Sequence, residues 1–169
     1  MKPIQSLLPL LEVPRNIVIT THYKPDGDAV GSLLALYHYL TRKQHRVTAV
    51  VPSEVPRFLD WMPGTDAIIN YESATSRTQA AIKEADIIFC LDFNVFTRVQ
   101  KMEASLSEAG AVKVVIDHHM FPAPVWDYGV SEPDKSSTCE MVYDFIRQSG
   151  DLEMIDPDIA ACLYTGVMT

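Results

Sequence analysis

The sequence predicts an α/β fold, a mostly parallel five-stranded sheet flanked by helices. Short apolar runs alternate with amphipathic stretches along the chain. The runs are rich in β-branched residues without strict in–out alternation, as in strands covered on both faces. Glycines and basic residues close several of the amphipathic stretches, the usual chemistry of a helix end. The first strand is read over residues 16–21 (NIVITT). Val30, Leu33, Leu34, Tyr37 and Leu40 then recur at helical spacing, with Arg42 and Lys43 in the last turn, which reads as a crossover helix. It leads to a strand over 46–51, and a weaker strand follows at 67–70. Residues 73–85 form the helix before a strand at 86–91, and 101–109 form another, stopped by Gly110, before a strand at 112–116. Residues 137–149 carry Val142, Phe145 and Ile146 on one stripe and end at Gly150. Asp156 caps a last helix with Pro157 in its first position, where a missing amide proton costs nothing. Two long loops remain, 52–65 and the proline-rich 119–134.

A chain of 169 residues is one domain's length. With 47% hydrophobic and 21% charged residues it has the composition of a globular protein, so wholesale disorder is excluded. Lys and Arg total 14 against 22 Asp and Glu, a net charge of −8, and no run of five like charges occurs. That argues against duplex DNA as a partner, because duplex binders neutralise phosphates with clustered cations. A small phosphate-bearing substrate stays compatible, since bound cations reverse the local sign of an acidic site. No apolar run reaches the length of a membrane span, and the first twelve residues do not fit a signal peptide. Cys90, Cys139 and Cys162 sit in apolar or helical contexts as expected of buried free thiols, which points to a cytoplasmic location. The last helical segment is still apolar at Thr169, so the chain is expected to be part of a longer polypeptide.

In parallel sheets the ligand crevice lies beyond the carboxyl ends of the strands, and potential metal ligands stand there on three strands. The first runs into His22 and then Asp26-Gly27-Asp28, another ends at Asp92, and another at Asp117-His118-His119. Taken singly, Asp26 or Asp28 reads as a helix N-cap and each histidine as a structural residue. Taken together, four carboxylates and three imidazoles at one edge would repel and desolvate one another unless cations sat among them. Mixed carboxylate and imidazole without thiolate favours Mn²⁺, with Mg²⁺, Co²⁺ or Fe²⁺ as alternatives, and the ligand count suggests two divalent cations. A cation pair suits displacement at phosphorus, lowering the pKa of the attacking water and holding the developing oxyanion.

His22-x-x-x-Asp26-Gly-Asp28, then Asp92 closing a strand, then Asp117-His118-His119 closing another, resembles the successive motifs of the DHH phosphoesterase superfamily. Within it the chain most resembles the nanoRNase type, bifunctional enzymes that trim short oligoribonucleotides and remove the 3′-phosphate of 3′-phosphoadenosine 5′-phosphate. The stretch Asp26 to Ser32, the Phe58…Pro63-Gly64 loop, Ser136-Ser137-Thr138-Cys139-Glu140 and Leu163-Tyr164-Thr165-Gly166 carry that likeness. The resemblance implies one Mn²⁺ on His22, Asp26 and Asp92 and another on Asp28, Asp92 and His118, with Asp92 bridging. It implies His119 as an acid or charge stabiliser at the scissile phosphate and Asp117 as a residue orienting the histidines. Implied partners are a short RNA or nucleotide substrate, and no membrane; a homodimer is left open.

Residues 1–169 are thus expected to be a DHH domain that stops before a further ligand Asp of the last motif and before a smaller C-terminal substrate-binding domain. Asn94, Arg98 and Ser137 are weaker substrate-binding candidates. Ser137-x-x-Glu140 also reads as a capping box, with phosphate contact by the helix N-terminus as the rival role. Phe58 and Trp61 are expected to pack under their own turn rather than to stack on a base. Other readings of the same motifs are a pyrophosphatase, an exopolyphosphatase, a RecJ-type exonuclease or a cyclic-dinucleotide phosphodiesterase. A non-catalytic metal-binding lobe is a further alternative, as is a receiver-like module phosphorylated on an aspartate.

Overall fold

The apolar runs pair side by side, every one parallel to its neighbours. The computed structural model describes residues 1–169. In chain order the elements are β1 (Lys2–Pro3), β2 (Asn16–Thr20), α1 (Gly27–Arg42), β3 (Arg46–Val51), β4 (Ile69–Asn70), α2 (Thr75–Glu84) and β5 (Ile87–Leu91). There follow α3 (Glu103–Glu108), β6 (Val112–Asp117), β7 (Tyr128–Ser131), α4 (Thr138–Gln148) and α5 (Pro157–Met168). The sheet has seven strands in the order β1-β7-β6-β5-β2-β3-β4. Two more strands form than the five expected, and both lay below the reach of a hydrophobic pattern. β1 is two residues long and contains a proline, and β7 lies inside the proline-rich loop with a glycine among its four residues.

Strand alternation sends Ile17, Ile19, Phe89, Leu91, Val114 and Ile116 to one face of the sheet, where α1, α4 and α5 cover them. Val18, Ile88, Cys90 and Val115 point to the other, against Val99, Met102 and Leu106 around α3. α1 is buried on most of its circumference because the sheet lies beneath it and α4 and α5 pack beside it. Each fully buried leucine there contributes roughly 1.5–3 kcal/mol. Cys90, Cys139 and Cys162 are free and buried, and no helix is long and apolar enough to cross a membrane.

Local signals explain three of the five α-helix starts. Asp26 Oδ1 accepts from Ala29 N, Ser137 Oγ from Glu140 N, and Asp156 Oδ1 from Ile159 N, each a side-chain N-cap. The capping box at Ser137 is modified, because Glu140 reaches past Ser137 to the amide and hydroxyl of Ser136. The Ser136 amide, the Lys135 ammonium and the Ser136 hydroxyl hold the Glu140 carboxyl down at about 2. The helix read over 101–109 forms as the short α3, preceded by a 3-10 segment, Phe96–Met102, that is kinked within itself at Gln100, where φ is 51°. Residues Ile4–Leu11, whose apolar run is broken by Pro9, form a further 3-10 segment that covers the core. In the 52–65 loop Leu59 and Met62 take the buried positions, leaving Phe58 68% and Trp61 63% exposed, so these aromatics do not pack under the turn.

Candidate metal centre

The strand order reverses next to β2. From β2 the chain moves outward to β3 and β4, then returns to lay β5 on the other side of β2. The loops leaving β2 and β5 therefore diverge in opposite directions, opening a crevice at the carboxyl ends of the two strands, the place such sheets bind ligands. β6 lies next to β5, so its last residues reach the same crevice. The cleft is about 220 Å³ and is lined by His22, Asp26, Asp28, Asp92, Arg98, His118, His119, Ser136, Ser137, Gly166, Val167 and Thr169.

Asp92 is the centre of the cluster. It is buried, and its backbone is left-handed at φ 63°, a conformation that aspartate tolerates better than most residues. Its two oxygens face different neighbours. Oδ2 lies 3.3 Å from His22 Nε2, while Oδ1 lies 3.4 Å from His118 Nε2 and 3.9 Å from His119 Nδ1. Two trios of ligand atoms result, each gathered within 4.8 Å: His22, Asp26 and Asp92, and Asp92, His118 and His119.

The histidines are oriented by what holds their other ring nitrogen. His22 Nδ1 is 3.0 Å from the Tyr23 carbonyl and His118 Nδ1 is 3.3 Å from the Lys135 carbonyl, so each donates there and turns Nε2, the nitrogen that the neutral ring would offer to a cation, towards Asp92. His119 is held by Asp117, whose Oδ1 lies 2.7 Å from the ring Nδ1 and whose Oδ2 accepts the His119 amide at 2.9 Å. Its side chain is 44% exposed, the most open of the three. Burial would lower the His22 pKa, but the Asp92 carboxylate, the Tyr23 carbonyl and Asp26 outweigh it and hold the imidazole above its ordinary value. Burial, then the neighbouring Asp92 charge, pushes Asp28 up against the two amides that bond it. Burial likewise raises Asp117, opposed by its bonds to His119.

Asp28 comes to the cleft but turns both oxygens into the start of α4, Oδ2 accepting from Thr138 N and Oδ1 from Cys139 N. Its Oδ2 remains 3.7 Å from His118 Nε2. Among the weaker candidates, Arg98 lines the cleft and is its one permanently positive side chain. Ser137 also lines it, with its hydroxyl committed to the α4 cap. Asn94 is a brace, its amide donating to the His119 and Met120 carbonyls while its own carbonyl accepts from Trp126 Nε1. Sequence reading did not single out Thr138 as a site residue. Its hydroxyl donates to Asp92 Oδ1 at 2.9 Å.

These residues fit divalent cations. Asp26, Asp28 and Asp92 face one guanidinium across the cleft, so the protein's own charges leave it negative and repulsive to phosphate. Carboxylate and imidazole donors whose ring orientation is fixed by outer hydrogen bonds are a donor set for divalent metal ions.

Residues 16–167 match the family model described as DHH family, N-terminal domain. The chain therefore belongs to the DHH family of phosphoesterases. Over its whole length it is 31% identical to the bifunctional oligoribonuclease and PAP phosphatase NrnA of Thermus thermophilus, covering 47% of that protein. It is 25% identical over 99% of its length to a probable NrnA of Streptococcus mutans, covering 49% of it. The crystal structure of an exopolyphosphatase-related protein from Bacteroides fragilis superposes on 97% of the chain with a TM-score of 0.94 and 38% identity, across 48% of that chain. RecJ of Thermus thermophilus in complex with Mn²⁺ shares the fold, at a TM-score of 0.58 and 16% identity over 96% of this chain and 23% of that one. The chain spans about half the length of the curated relatives it matches.

Proposed function

We propose that this chain is the metal-bearing lobe of a phosphoesterase that hydrolyses short oligoribonucleotides, 3′-phosphoadenosine 5′-phosphate or both. The observation that carries the reading is the convergence of two ligand trios on the shared carboxylate of Asp92 at the switch point of the sheet. His22, Asp26 and Asp92 would hold one cation and Asp92 and His118 another, with Asp28 approaching the second. Two bound divalent cations, Mn²⁺ in this reading, would supply positive charge for the phosphate and acidify the attacking water.

The protein's own groups do the rest. Arg98 offers a guanidinium to a phosphate oxygen at the mouth of the cleft. His119 is held by Asp117 through Nδ1, which leaves Nε2 out of that bond as the atom that would give a proton to the departing oxygen or hold its charge. Small nucleotides suit an acidic surface better than long single strands, which need an extended basic track. The curated relatives' names support the nucleotide substrates. The name of the Bacteroides fragilis structure favours polyphosphate as a second reading.

A smaller C-terminal domain, contributing a further ligand Asp and a basic substrate surface, would complete the enzyme. This chain alone is then expected to show little or no turnover beside a longer natural chain containing it. The longer chain, assayed with Mn²⁺ on a diribonucleotide, 3′-phosphoadenosine 5′-phosphate, pyrophosphate and polyphosphate, should prefer the first two. Preference for polyphosphate or pyrophosphate would replace this substrate assignment, and no hydrolysis of any of them would leave a non-catalytic lobe.

Two further outcomes are expected. Asp117→Asn should lower kcat by roughly 10- to 100-fold with a small change in KM, because the asparagine cannot serve both His119 contacts as an anion. An unchanged kcat would remove Asp117 from the positioning of His119. In this chain, the rise in Tm produced by Mn²⁺ should grow between pH 5 and pH 8. Both His22 and Asp28 have folded pKa values raised above their unfolded ones. Their protonated forms therefore stabilise the cation-free fold at low pH, and that contribution is lost as pH climbs through the folded values. Cations need the deprotonated forms, so protons compete with them at the acid end. A Tm rise that is flat or shrinks over this range would argue against these ligands.

A further inference from the structure

We propose that Thr138 is a positioning residue that divides Asp92 between two cation half-sites and sets Asp28 in register with it. The inference rests on the metal reading above and goes beyond it by naming what aligns two carboxylates carried by different elements. Thr138 is the first residue of α4 and fully buried. Its amide donates to Asp28 Oδ2 at 2.7 Å, and its hydroxyl donates to Asp92 Oδ1 at 2.9 Å. One residue therefore ties the carboxylate at the start of α1 to the carboxylate at the end of β5.

The hydroxyl is placed differently from those of other helical threonines here. Thr75, Thr78 and Thr165 each donate to the carbonyl four residues back, the local bond such side chains ordinarily make. Thr138 donates across the fold instead. The cap of α4 does not require it, since Ser137 Oγ takes the Glu140 amide and the Ser137 carbonyl takes the Met141 amide. The first two amides of the helix, Thr138 and Cys139, are satisfied by Asp28.

The consequence concerns which oxygen goes where. A donor on Oδ1 fixes rotation of the Asp92 carboxylate about its last bond. Oδ2 is then left to His22, and Oδ1 keeps a free lone-pair direction towards His118. Without the hydroxyl that carboxylate can rotate, and the half-site on Oδ1 loses its geometry. The half-site on Oδ2 retains His22 and Asp26.

Thr138→Val keeps the side-chain shape and the backbone amide while removing the donor, and Thr138→Ser restores the donor. Mn²⁺ binding to this chain by titration calorimetry, with electron paramagnetic resonance as a readout of ions in close pairs, tests the proposal. In Thr138→Val the weaker of two binding steps should fall by roughly 10- to 100-fold, the usual effect of removing an outer-sphere partner, with loss of the paired-ion signal. The tighter step should hold within about threefold, as should both steps in Thr138→Ser, and the cation-free proteins should melt together to within roughly the scatter of surface substitutions. A valine variant that keeps both steps and the paired signal overturns the role of Thr138 while leaving the metal reading standing, and so does a serine variant that behaves like valine. Wild-type chain that takes up no Mn²⁺ overturns both.

Discussion

Asp92→Asn is expected to cut the proposed hydrolysis by roughly a thousandfold or more when this lobe is assayed together with the proposed C-terminal domain, the scale of losing a central electrostatic element of a site. Asp92 is the one residue shared by both ligand trios, so its charge serves both cations at once. Asparagine is the informative replacement. It tolerates the left-handed backbone at φ 63°, where alanine adds strain, and its Oδ1 can still accept from the Thr138 hydroxyl. The fold should survive, because removing a buried charge beside Asp28 and Asp117 relieves repulsion that raises both of them. Cation-free Tm is therefore expected to hold or rise, while Mn²⁺ uptake by this chain collapses. A variant that still hydrolyses substrate at the wild-type rate would remove Asp92 from the centre of the chemistry.

Gly31→Ala should clearly destabilise the fold. Gly31 lies where α1 crosses α5, and a Cβ there would come within 2.6 Å of the Cys162 carbonyl oxygen, 3.0 Å of Cys139 Sγ and 3.2 Å of Gly166 N. Two of those three atoms are backbone, so the helices must separate to admit a methyl group. Alanine's better helix propensity offsets about 1 kcal/mol of the strain, and overpacking of this kind leaves a net loss of about 1–3 kcal/mol. At about 2–4 °C per kcal/mol for a chain of this size, Tm should fall by several degrees. Gly110→Ala is the matched control, because a Cβ there meets nothing within 4 Å, and its Tm should stay close to wild type. Equal melting of the two variants would show that α1 and α5 are not held together at this glycine. The seam also backs the metal centre, since a Cβ at Gly166 would lie 3.1 Å from Asp28 Oδ1.

The four main strands, the crossover helix and the caps at Asp26, Ser137 and Asp156 were legible in the sequence because each depends on neighbours in the chain. Hydrophobic periodicity and capping are local signals, and a run such as Ile87–Leu91 carries them in full. The short β1 and β7 were not legible, since their pairing partners, and not their own residues, make them strands. Arg98 and Ser137 reach the cleft, whereas Asn94 is spent on holding the His119 loop.

By itself, then, the sequence determined the fold class, the DHH-type motifs and the strand ends from which His22, Asp26, Asp92 and His118 project. Only the tertiary structure decided the direction in which Asp28 turns its oxygens, the partner of the Thr138 hydroxyl and the splitting of Asp92 between two sets of neighbours. The physical reason is distance along the chain. Residues 28 and 138 meet because α4 packs beside α1, closely enough at Gly31 that a Cβ would lie 3.0 Å from Cys139 Sγ, and Asp92 joins them because β5 pairs with β2; no periodicity in a local window encodes those approaches.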